Sequence, residues 1–116
     1  MIRIWLMSLA ASASLNVEHP AWMIGTWGWQ NPGERVNDCG TDHDVTYARD
    51  GRYDFMDEVG TWKVVGNRLI ETLTDPGGTG DPTRTGKPNV MTFTKVRRGV
   101  LRIGGPRGGT MFKCPG

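Results

Sequence analysis

The chain has 116 residues, of which 37% are hydrophobic and 22% charged, with a formal net charge of +2. That length holds one domain with a single modest core, and so small a charge, without a compact basic block, gives no reason to expect a nucleic-acid partner. The 17 glycines and 7 prolines leave little room for long helices, and beyond the first dozen residues apolar positions never repeat at helical spacing, so an all-β domain rich in turns is expected.

Residues 1–13 are a different object. They carry one charge at Arg3, an apolar centre from Ile4 to Ala11 and the small residues Ala11-Ser12-Ala13, which is the form of a short export signal cut after Ala13. The apolar centre is too short to span a bilayer, and no cysteine follows the cut to take a lipid. The mature chain is therefore expected in the periplasm or outside the cell, without stable insertion in a membrane. A first β-strand over residues 1–7 is the competing reading. Residues 14–21, with His19-Pro20, read as a flexible N-terminal segment, and residues 22–116 as the folded domain.

The first strand of that domain is expected over residues 22–29, with Trp27 and Trp29 on one face, ended by Asn31-Pro32-Gly33. A loop containing Cys39 leads to a four-strand ribbon over residues 44–74. Along it Val45 and Tyr47, Tyr53 and Phe55, and Trp62 and Val64 alternate with polar or small residues, the period of half-buried antiparallel strands. Asp50-Gly51 and Gly66-Asn67 are dipeptides suited to two-residue hairpins, and Gly60 is expected to open the third run. Residues 75–87 hold no apolar side chain except proline, so they are expected to form a mobile surface loop. Three more strands follow, over residues 90–96, 100–103 and 110–114, with Phe93 expected near the end that the long loop adjoins.

Eight antiparallel strands in simple order close most economically into an up-and-down barrel, which leaves no edge and just enough interior for side chains or one small ligand. A two-sheet sandwich with Greek-key links is the alternative. The two cysteines, Cys39 and Cys114, are expected to pair in an oxidising compartment. Closing so long a loop removes about 4.5 kcal/mol of unfolded-state freedom in the chain-entropy model. Charge is uneven: residues 14–75 carry 5 Lys or Arg against 11 Asp or Glu, and residues 76–116 carry 8 against 1. Either the two halves neutralise one another in the fold, or the basic half meets an anionic partner.

Gly25-Thr26-Trp27 resembles the Gly-x-Trp signature of lipocalins and the wider calycin group. Residues 47–53, Gly60-Thr61-Trp62 and Gly66-Asn67-Arg68-Leu69 resemble the small exported lipocalin-like domains of bacteria. The resemblance implies that Gly25 and Trp27 mark the closed base of the barrel, with a basic residue of the last strand, Arg107 or Lys113, lying over the tryptophan.

Catalytic groups are scarce. The only serines are Ser8, Ser12 and Ser14, which belong to the export signal or its scar, and a disulfide would consume both thiols. Asp38, Asp42, His43 and Asp44 crowd one loop, but their spacing matches no EF-hand and they read as turn formers. Residues 80–87 miss the spacing of a phosphate loop. No catalytic residue, metal or cofactor is expected. Nine aromatic side chains between Trp22 and Phe112 either fill the interior or line a pocket, whose candidate residues are Trp29, Tyr47, Tyr53, Phe55, Trp62 and Phe93. The expected function is that of an exported, monomeric, non-enzymatic protein that binds a small hydrophobic ligand or an envelope protein. The alternative is a β-barrel inhibitor of a secreted protease that inserts its flexible N-terminal segment into the protease cleft.

Overall fold

Inward and outward side chains alternate through eight strands in the computed structural model, which describes residues 18–78 and 80–115. The strands are β1 (Gly25–Gln30), β2 (Val45–Tyr47), β3 (Arg52–Phe55), β4 (Glu58–Val65), β5 (Arg68–Asp75), β6 (Pro88–Arg97), β7 (Val100–Ile103) and β8 (Gly109–Lys113). Each pairs antiparallel with its sequence neighbour and β8 returns to β1, so the sheet is a closed up-and-down barrel. The export signal expected over residues 1–13 lies outside the described residues, as do residues 14–17.

Two ends follow from the strand directions. The loops after β1, β3, β5 and β7 gather at one end, and those after β2, β4 and β6 gather at the other with residues 18–23. The second end is filled. Pro20 to Met23 form a turn closed by Met23 N–H donating to Pro20 O at 3.0 Å, and the buried Met23 carbonyl accepts the Trp27 indole N–H at 2.9 Å. This turn is why β1 begins at Gly25, three residues later than expected. The preceding residues, expected to be loose, are tied down. Val64 N–H donates to Glu18 O at 2.8 Å, His19 Nε2 lies 2.8 Å from Trp62 O, and the His19 ring meets Trp62 edge-on at 4.9 Å. Trp27, Trp62, Val64, Leu69, Phe93 and Leu101 complete the buried packing there with Met23.

Local chemistry places several turns differently from the dipeptide rules. Asp50-Gly51 belongs to a four-residue turn, with Gly51 N–H donating to Ala48 O at 3.1 Å. Gly51 takes φ 90°, a value that suits glycine. The β3–β4 hairpin turns at Met56-Asp57, where Met56 has φ 54°. Gly60 therefore lies inside β4, opposite Tyr53 in register. A Cβ at Gly60 would fall 2.3 Å from the Tyr53 ring and from Thr72 O, so glycine is needed there to seat the ring. The bulge between Val59 and Gly60 marks the same accommodation.

Cys39 and Cys114 form a disulfide with Cα atoms 5.4 Å apart. It draws the loop after β1 back along the outside of the barrel. β2 has only three residues and pairs with β1 no further than Trp27. Above that point the loop takes its place: Asp38 N–H donates to Trp29 O at 2.9 Å. Cys39 packs so closely on Gly28 that a Cβ there would lie 2.5 Å from its backbone nitrogen.

Candidate functional site: an aromatic cavity with one inward carboxylate

The interior is solid at the filled end and hollow at the other. Inward residues of β1, β2, β3, β5, β6 and β8 surround a cavity of about 330 Å³, at the small end of ligand pockets, which span ~300 to 1,000 Å³. Trp27 forms its floor, and Trp29, Val45, Tyr47, Tyr53, Phe55, Met91 and Met111 its walls. Gly109 makes room for the Trp29 ring, since a Cβ there would come within 2.6 Å of it. The choice between a filled core and a pocket is thus answered by halves: each exists, at its own end.

Of the six pocket candidates, Trp29, Tyr47, Tyr53 and Phe55 meet around the cavity, and Trp62 and Phe93 do not. Trp62 lies below it, its indole N–H donating to Ala48 O at 2.9 Å and its ring against Tyr47 at 5.4 Å. Phe93, expected near the open end, is instead in the filled half, with its ring 5.7 Å from Trp22. The antiparallel sense of β6 is the reason, because the strand enters from the long loop at Pro88 and has run half its length by Phe93. Gly25 and Trp27 do sit at the base. Lys113 pairs with Trp27 in register, lies across Gly25 and donates from Nζ to Trp22 O at 3.3 Å. Arg107 is in the loop between β7 and β8, at the opposite end.

The charged groups of the cavity, Glu58, Glu71 and Arg84, were not among the candidates. Glu71 projects inward from β5, between the buried Leu69 and Leu73. The Tyr47 hydroxyl reaches from β2 and donates to Glu71 Oε2, and Asn89 on β6 is the register partner of Glu71. Burial lifts the Glu71 carboxyl above its ordinary value of 4.5, while hydrogen bonding, from Tyr47 first, pulls it back in part. Burial first, and then Glu71, raise the Tyr47 phenol well above its usual range, so it stays protonated as the donor. Tyr53 is pushed up to about 12, chiefly by burial and then by Glu71. Period-two alternation was the available signal for Glu71, because Leu69, Glu71 and Leu73 must share one face.

The long loop frames the mouth. Asp81 caps a short 3₁₀ turn (Pro82–Arg84) by accepting from Thr83 N–H at 3.0 Å, which aims Arg84 back at Glu58. Arg84 Nη1 donates to Glu58 Oε2 at 2.8 Å and Nη2 to Oε1 at 3.4 Å. Gly86 N–H fastens the far side of the loop to Leu73 O at 2.8 Å. His43 also borders the cavity, with Nδ1 3.0 Å from Asp42. The other acidic residues of its loop serve turns, Asp44 accepting from Gly40 N–H at 3.2 Å and Asp38 O from the Thr41 hydroxyl at 2.6 Å.

No family model, curated protein or solved structure matches this chain. The site is therefore read from its own geometry. A hollow walled by rings and thioethers, with one carboxylate inside and an ion pair at its rim, can take up a small molecule and orient it. Among the described residues no helix is long and apolar enough to cross a membrane.

Proposed function

We propose that this protein is an exported, non-enzymatic binding protein of lipocalin-like type that holds a small, largely apolar ligand in the open half of its barrel. The cavity carries this reading: about 330 Å³ of space lined by Trp29, Tyr47, Tyr53, Phe55, Met91 and Met111 is left unfilled by the side chains around it and is large enough for one small ligand. The Gly25-Thr26-Trp27 segment at the base, with Lys113 beside Trp27, supports the lipocalin-like part. The disulfide between Cys39 and Cys114 supports export, since such bonds persist in oxidising compartments.

The protease-inhibitor alternative gains nothing from the observed base. It needs the N-terminal segment to be available, and its described end, Glu18 and His19, is bonded to Val64 and Trp62.

Titration with the neutral fluorescent probe N-phenyl-1-naphthylamine tests the reading. One probe per chain should bind saturably, and Met111→Trp, which places an indole in the hollow, should abolish the signal while leaving the fold intact by circular dichroism. Absence of saturable binding by the parent protein would defeat the small-ligand reading.

A further inference from the structure

An apolar ligand does not need a carboxylate, and a carboxylate that has lost part of its hydration needs compensation. Glu71 is built half-buried into the wall of the cavity, and the donor that meets it, the Tyr47 hydroxyl, is neutral. Among the described residues no cationic side chain forms an ion pair with it. The nearest candidate by position, Arg84, is committed to Glu58 at the mouth, so that pair cancels and Glu71 sets the charge of the interior. The surrounding groups are compatible in kind: Trp29, Tyr47, Tyr53 and Phe55 line the cavity with aromatic rings, whose faces attract cations, and the thioethers of Met91 and Met111 are soft and adaptable.

We infer that the cavity is selective for a small organic cation, an amine whose ammonium group meets Glu71 while its apolar body lies among Trp29, Tyr53, Phe55 and Met91. This rests on the reading of the cavity as a ligand site and narrows it to one ligand class. An ammonium group donates to the carboxylate and supplies the charge that the fold leaves out, so the ligand and the half-buried acid compensate one another. A carboxylate ligand of the same shape would place like charges together in a poorly hydrated space.

Three indoles of similar shape separate the possibilities: tryptamine, a cation; 3-methylindole, neutral; and indole-3-acetate, an anion. Isothermal titration of the parent protein at neutral pH should give tryptamine an affinity at least about tenfold above that of 3-methylindole, the worth of one charge-assisted hydrogen bond, with indole-3-acetate weakest. Glu71→Gln preserves shape and an acceptor for Tyr47, and it should bring the tryptamine and 3-methylindole affinities together. Equal affinities for the three compounds on the parent protein would overturn the cation inference while leaving the cavity reading standing. A tryptamine preference that survives in Glu71→Gln would overturn it as well. Binding of none of the three would remove the small-ligand reading and this inference with it. The ranking on the parent protein decides the matter even if the variant folds poorly.

Discussion

Glu71 makes folding depend on pH in a direction opposite to that of a salt-bridged acid. Burial raises its pKa in the folded chain above the unfolded value. Below the unfolded value both states hold the proton and the carboxyl costs little; as pH rises through the folded value, the folded state must bear a charge that the unfolded state hydrates freely. Tyr47 and Tyr53 titrate far higher, so they do not mask the effect. Glu71→Gln should therefore raise the melting temperature near pH 7 and have almost no effect at about pH 3.5, as followed by circular dichroism. An equal effect at both pH values would show that shape and not charge is at issue. In the filled half, Trp27→Ala and Phe93→Ala should each cost ~3 to 5 kcal/mol in denaturant titrations. Phe55→Ala, at the wall of an existing hollow, should cost clearly less, because less packing surrounds the ring that is removed.

At the level of elements, alternation made the strands legible because each inward face is apolar and a one-residue slip would turn it outward. Tyr47, Tyr53 and Phe55 could be read as interior residues for that reason. Alternation cannot say how far along the barrel a ring lies, and that decided Trp62 and Phe93. Their level depends on the turn at Pro20 to Met23, which closes the base from a position remote in sequence from β4 and β6. The Met56-Asp57 turn carried no glycine or asparagine to announce it. The rim was hidden in another way, since Arg84 and Glu58 are 26 positions apart and only the path of the long loop joins them. That pair is exposed on the Arg84 side, with 55% of its side chain in solvent, so Arg84→Ala should change stability by only ~0 to 1 kcal/mol. Its effect should appear as faster release of N-phenyl-1-naphthylamine in stopped-flow experiments, since the loop loses its tie across the mouth. An unchanged release rate would show that the rim does not control access.

For the whole molecule, contacts join the two halves of opposite charge at a single ion pair among the described residues, Arg84 with Glu58. Lys95, Arg97, Arg98 and Lys113 instead border one concavity at the filled end, beside Trp22, and Lys95 lies 3.9 Å above the Trp22 ring. The barrel is thus polarised, with its carboxylate-bearing hollow at one end and its cationic collar at the other. The bond between Cys39 and Cys114 spans a separation of 75 positions, which corresponds to about 4.5 kcal/mol of restricted unfolded-state freedom. Reduction should lower the melting temperature in parallel scans with and without dithiothreitol. The same bond anchors the segment that stands in for the missing length of β2 beside Trp29. A chain held among reducing thiols should therefore have an unlatched side wall, so that the shape of the hollow beside Trp29 depends on the oxidation state of two sulfur atoms on the outside of the barrel.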